Sequence, residues 1–182
     1  MNNRTTRFVQ VGVCSAAGLL LAAGTGLAQE SAPSEPLPLT DELIELEYSV
    51  LGEDISFEML TADRALLEVN AAGSVSGDLE GTISSNPNQL VELPDPPTDS
   101  FAVTFTIETA DGTIEGYYVG TIHGVAGDPA ASVNAHGQIL AVTGAYAELF
   151  LAEVYVTAEV PLDPEGVGTG ENGTMTIAPR RT

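Results

Sequence analysis

From residue 43 onward the chain repeatedly alternates apolar and polar side chains with a period of two. Leu43 to Leu51 places Ile44, Leu46, Tyr48 and Val50 on one face and Glu45, Glu47 and Ser49 on the other, as in a strand buried on one side. Comparable runs recur at about 65–76, 79–85, 101–109, 113–123, 130–142, 148–160 and 168–178, separated by glycines and an Asp-Gly turn. Their number and spacing predict an all-β barrel or sandwich. We take the expectation to be a single antiparallel barrel of about eight strands. Phe57 to Val69 reads two ways: its apolar spacing suits a helix, and Thr61-Ala62-Asp63 suits a turn between two strands.

Register follows from the turns. Asp111-Gly112 is a two-residue hairpin signal, because a type I′ turn needs positive φ at both central residues. With Ala110 opposite Thr113, Ile107 faces Gly116, Phe105 faces Tyr118, Val103 faces Gly120 and Phe101 faces Ile122. The other surface then pairs Thr106 with Tyr117, Thr104 with Val119 and Glu108 with Glu115. Two opposed carboxylates belong in water, so this second surface is the outside. A connection at 124–129 sets His123 opposite Ala130 and turns Ala131, Val133, Ala135, Gly137, Ile139 and Ala141 inward. Leu140 and Val142 break the polarity of the outward series. In 148–160, Phe150, Ala152, Val154, Val156, Ala158 and Val160 share the inward face. A one-residue slip inverts every face, so the pattern constrains register strongly.

These four strands predict an aliphatic and aromatic interior whose one side-chain hydroxyl is Tyr118, with every glutamate on them outside. The candidate lining of a cavity is Tyr118, Phe105, Phe101, Ile107, Phe150 and Val154. An eight-stranded barrel is either filled by its side chains or holds one small ligand. Inward glycines (Gly116, Gly120, Gly137) and alanines fit both outcomes, since they leave space or let Phe105 and Phe150 pack across.

Composition narrows the chemistry. The 182 residues carry a formal charge of −21, with 26 acidic residues against five arginines and no lysine. Phosphate neutralisation needs clustered basic residues, which excludes a nucleic-acid binder and a polybasic membrane-surface protein. Without lysine there is no Schiff-base or P-loop chemistry. A hydrophobic fraction of 43% is that of a folded chain, not an acidic tail. The acids are spread along the sequence and form no Asp-x-Asp-x-Asp-Gly loop, so solubility explains them better than cation capture.

The first 28 residues read as a secretory signal peptide: Arg4 and Arg7, an apolar run from Phe8 to Leu21, and a small-residue tract from Ala22 to Ala28. The run is too interrupted to span a bilayer. The domain expectation is signal 1–28, a Pro-rich linker 29–40 and a barrel domain 41–182, secreted to the periplasm or beyond, with no membrane association after cleavage. Cleavage removes Cys14, the single cysteine, and with it any disulfide or thiolate chemistry. A second Pro-rich stretch, Ser85 to Ser100, is expected to be a long excursion or a lid.

No elbow, zinc-helix or dinucleotide motif occurs. The two histidines cannot share a metal: the expected register puts His136 beside Tyr117, roughly 20 Å from His123 at ~3.3 Å per residue. The Gly-rich 167–173 stretch reads as a wide turn. Glu58, Asp63 and Glu68 stay unplaced, and Arg64 suits a surface ion pair or a buried anion partner. No metal and no cofactor are expected.

Asp111 to Ile122, followed by Gly137 to Ala147, resembles the allene oxide cyclase barrel-like group, which includes dirigent-like proteins; Ala72 to Ile83 is similar to its glycine-punctuated early hairpin. The resemblance covers about residues 65–178. It implies an eight-stranded, calycin-like antiparallel barrel whose cavity, where open, holds an apolar small molecule, and a possible homo-oligomer (dimer or trimer). The group's Gly-Thr-Gly-x-aromatic-Ala-Gly turn is here Val142-Thr143-Gly144-Ala145-Tyr146-Ala147-Glu148, and no pocket residue of a cyclase or dirigent protein matches. Tyr146 is thus expected to serve the fold at a corner. Three functional expectations follow: a secreted, non-enzymatic binding or structural barrel; a cyclase or isomerase acting on a small apolar substrate; or an envelope module binding divalent cations through its surface.

Overall fold

The computed structural model describes residues 42–62, 64–92, 98–124, 128–162, 168 and 170–180. Eight strands follow in order: β1 Ile44–Met59, β2 Arg64–Gly77, β3 Gly81–Glu92, β4 Thr98–Thr109, β5 Gly112–His123, β6 Ala130–Val142, β7 Glu153–Pro161 and β8 Gly170–Ala178. A 3₁₀ helix, η1 Gly144–Leu149, lies between β6 and β7. Each strand pairs antiparallel with its neighbour in sequence, and β8 closes on β1, giving a closed antiparallel barrel. Closure removes both sheet edges and encloses the inward face. The expected signal and linker, residues 1–40, lie outside the described residues.

The described part of 57–68 is the end of β1 and the start of β2 with bends at 60–62, strands on both sides as in the turn alternative and not the helix. The amides of Leu60 and Thr61 both donate to the Arg64 carbonyl, at 3.0 and 3.1 Å. Of the excursion expected over Ser85–Ser100, the described residues, 85–92 and 98–100, are strand, and 93–97 lie outside the described residues. Proline did not end β3 at residue 85, because a strand tolerates Pro where a ladder bond is missing. Pro87 pairs with Val103 of β4, while the β2–β3 register runs from Glu68↔Asn88 to Ala71↔Ser85 without a pair between them. At that gap the Asn86 side-chain amide donates to Asn70 Oδ1 at 2.6 Å.

The β4–β5 hairpin differs from the expected register by two residues. Thr109 pairs with Gly112, so Ala110 and Asp111 form the loop, Phe105 faces Gly116 and Val103 faces Tyr118. A shift of two preserves parity, so Val103, Phe105, Ile107 and Tyr118 point inward and are buried. Glu108 faces Thr113 and Glu115 faces Thr106, so the opposed carboxylate pair does not form, although both glutamates are exposed. The β5–β6 ladder is likewise displaced by two, with His123 opposite Ser132. A bulge between Glu115 and Gly116 then shifts the register. Beyond it Val142 packs on the core and Ala141 is exposed, the reverse of the expected faces, and Leu140 lies outside. The broken polarity at 140–142 was the trace of this bulge.

Phe150 is a further correction. It was expected inside, yet it is 52% exposed. Residues 150–151 turn the chain after η1, with Leu151 at φ 65°, so the strand begins only at Glu153. From there Val154, Val156 and Ala158 point inward as expected.

The corner before β7 is tied to the β4–β5 turn. Tyr146 is buried, and its hydroxyl lies 2.6 Å from Thr109 Oγ1. The Ala145 amide donates to the Asp111 carbonyl at 3.0 Å, and the Thr143 amide to the Thr113 carbonyl at 2.9 Å. Tyr146 and Leu149 thereby join the core at one end of the barrel. Leu46, Ile83, Ile107, Ile114, Ile139, Val154 and Ile177 are solvent-free at that end. Toward the other end the inward residues Val69, Phe101, Ile122, Ala135 and Val160 are only partly buried. Away from η1 closed and partly buried inward residues alternate, with Ala131 and Val133 buried beside Val160 and Ile122.

Candidate functional site

Three polar side chains meet inside the barrel. Tyr48 of β1 is on the face shared by Leu46 and Val50, as the alternation predicts, and Tyr118 of β5 is inward as expected. Glu171 is the second residue of β8 and faces Val50, in step with the buried Met175 and Ile177. Both tyrosine hydroxyls donate to the same oxygen, Glu171 Oε1, that of Tyr118 at 3.5 Å. The tyrosines are buried and Glu171 is half-buried.

The interior therefore holds a carboxyl group on β8, which is not one of the four strands whose register the sequence predicts; the strand glutamates of those four, Glu108, Glu115, Glu153 and Glu159, are exposed as expected. The Gly-rich stretch that read as a wide turn is, over Gly170–Gly173, the first part of β8. One available signal was period-two alternation: Glu171, Gly173, Met175 and Ile177 share parity.

Burial sets the electrostatics. Desolvation holds the Glu171 carboxyl above its ordinary range, outweighing the two hydroxyl donors that favour its charged form. Burial, joined by the neighbouring carboxylate charge, also raises both phenols: Tyr48 lies above its ordinary value, with Tyr118 contributing, and Tyr118 is raised although the Tyr48 hydroxyl bond opposes the shift. The cluster can accept a hydrogen bond and exchange a proton in surroundings that are otherwise apolar.

Aromatic packing fixes Tyr118. Phe101 meets its ring edge-on, with centroids 6.2 Å apart and planes at 84°, and Phe105 lies tilted at 5.8 Å. Four inward aromatic residues each have a glycine as a cross-strand partner: Tyr48 faces Gly173, Phe101 faces Gly120, Phe105 faces Gly116 and Tyr118 faces Gly137. A Cβ at Gly116 would lie 2.7 Å from Phe105 Cζ, so the ring occupies that space. At Gly137 a Cβ would meet the Tyr117 carbonyl, so strand contact itself demands glycine there.

Among the expected lining residues, Phe101, Phe105 and Tyr118 come together. Ile107 and Val154 lie in the solvent-free packing near η1, and Phe150 lies outside. His123 and His136 are exposed, as are Glu58, Arg64 and Glu68. His136 is beside Val119 and Tyr155, not Tyr117. Asp63 lies outside the described residues. Among the described residues no group of three or more His, Cys, Asp or Glu side chains is placed to hold a metal, and no helix is long and apolar enough to cross a membrane. An open trough of about 530 Å³ crosses β2–β6, lined mainly by outward groups such as Asn70, Ser84, Asn86, Thr104, Thr106 and Leu140. It does not contain Glu171. No protein-family model, curated protein or solved structure matches this chain.

Proposed function

We propose that this chain is a binding module, exported by its N-terminal leader to the periplasm or the extracellular space, whose barrel takes up a small apolar molecule without transforming it. The observation that carries the reading is a set of partly buried apolar residues on the inward face, away from η1. Most inward side chains near η1 are sealed from solvent, whereas Phe101, Ile122, Ala135 and Val160 toward the other end are only partly buried, with Phe101 against the Tyr118 ring. Apolar walls with a few convergent polar groups are the usual composition of a small-molecule site. The resemblance to the allene oxide cyclase barrel-like group points the same way.

The test is titration with a neutral, environment-sensitive apolar dye. Saturable one-to-one binding, weakened when Phe101 is replaced by Asp, is the expected result. A signal that stays flat or rises without saturation overturns the binding role and leaves a structural one.

A second reading is an isomerase or cyclase, favoured by one observation: a carboxyl group with a raised pKa shares a hydrogen bond with Tyr118. Such a pair suits proton transfer to an apolar substrate. Turnover unchanged in both Tyr118→Phe and Glu171→Gln would remove this reading.

A further inference from the structure

We infer that the molecule taken up by the barrel ends in a protonated amine, which donates to Glu171 Oε2 while an apolar body lies against the aromatic wall and the rim beyond it. This rests on the binding role proposed above and specifies the ligand class.

The first support is the distribution of hydrogen bonds at Glu171. Tyr48 and Tyr118 both donate to Oε1. Among the described residues, no buried side-chain oxygen or nitrogen lacks a partner. Glu171 is half-buried. Its second oxygen therefore offers an acceptor on the accessible side of a carboxyl group already fixed in position by two phenols. Preorganisation of this kind lowers the ordering cost of binding.

The second is charge. The chain contains no lysine. The described Arg64, His123 and His136 side chains are exposed on strand ends or the outer face, and Arg180 is exposed beyond β8. An anionic head group would meet the Glu171 carboxyl group with no basic partner on the inward strand positions described. A formal charge of −21 repels anions from the whole surface and concentrates cations near it. An ammonium near the faces of Tyr118 and Phe101 also gains cation–π attraction.

The third is the shape of the rim. Among the described residues β8 pairs with β1 as far as Gly170 opposite Leu51, whereas β1 runs on to Met59 against β2. A register shift between Gly52 and Asp54 places Ile55 opposite Val69, in phase with the inward Ala71. The inward surface thus continues past the rim as an apolar shelf of Ile55, Leu67 and Val69, with Ile55 38% exposed. An aliphatic body reaching out from Glu171 finds apolar surface there.

Displacement of the bound apolar dye tests the inference with three competitors of equal chain length: a primary alkylamine, the alcohol and the carboxylate. The amine is expected to compete at least tenfold more strongly than the carboxylate, a difference of about 1.4 kcal/mol. In Glu171→Gln, with that variant's own dye affinity measured first, the ratio of amine to carboxylate competition should fall most of the way to one. Glu115→Gln, which removes an outward carboxylate, should keep the preference. Equal competition by amine and carboxylate, or a preference unchanged in Glu171→Gln, overturns the amine assignment while leaving the binding role intact. Absence of dye binding in the unaltered protein overturns both.

Discussion

Phe105 lies across Gly116 of the neighbouring strand, its Cζ 2.7 Å from where a Cβ would stand. The Gln138 carbonyl is 2.8 Å from the same point on the other side. Gly116→Ala should therefore destabilise the barrel by roughly 1–3 kcal/mol, the usual cost of overpacking a tight core. Phe105→Leu leaves space for the new methyl. Denaturant titration of the single and double variants should show the two losses summing to more than the loss in the double variant. Strict additivity would mean the ring and the glycine do not share that space.

Glu171→Gln should raise the melting temperature at neutral pH, since the amide still accepts the tyrosine hydroxyls but removes a desolvated charge. A gain of about 1 kcal/mol corresponds to roughly 2–4 °C for a chain of this size. The sign of the pH dependence follows from the raised folded-state pKa. The unfolded carboxyl group loses its proton first, so its contribution to stability is complete below the ordinary carboxyl value and falls as pH rises through the folded-state value. The advantage of the variant should shrink on acidification across that window. A gap between the two proteins that stays constant with pH would contradict the burial of this group.

Tyr48 and Tyr118 resist ionisation in the fold because burial and the adjacent carboxylate disfavour the phenolates. In the unfolded chain they titrate near 10.0. Their contribution is therefore full below that pH and is lost as pH rises above it. Tyr48 and Tyr118 should give phenolate absorbance, read as the difference from the matching Phe variant, only together with the loss of β-sheet circular dichroism. Phenolate absorbance from either residue while the sheet is intact would show that it is open to solvent.

Thr109 Oγ1 is the hub of the corner. It contacts the Tyr146 hydroxyl at 2.6 Å, accepts from the Asp111 amide at 3.1 Å and donates to the Gly112 carbonyl at 3.1 Å. Thr109→Val removes all three bonds and Tyr146→Phe removes one. With each bond contributing about 1 kcal/mol net, chemical unfolding should rank Thr109→Val as clearly the more damaging. The opposite order would place the main constraint on the tyrosine ring and not on the hydroxyl network.

Self-repulsion among the acids should make the fold salt-dependent. At a formal charge of −21, raising monovalent salt toward ~1 M shortens the screening length to about 3 Å, and the melting temperature should climb. A melting temperature that does not respond would show that the carboxylates are spaced widely enough not to interact.

Alternation alone was enough to identify an all-β chain and to sort the faces of β4, β5 and most of β6 and β7, because side-chain direction in a strand reverses at every residue and a shift of two changes nothing. The fold decided whatever depends on counting residues through a turn. Thr109 draws the β4–β5 loop back to Ala110 and Asp111, the bulge at Glu115 inverts the end of β6, and the turn at Leu151 sends Phe150 outward. Barrel closure decided the candidate site. Tyr48 and Glu171 are 123 residues apart, and Tyr118 and Glu171 are 53 apart. Local periodicity can place each of them on an inward face, but only the pairing of β8 with β1 brings the carboxyl group to the two phenols.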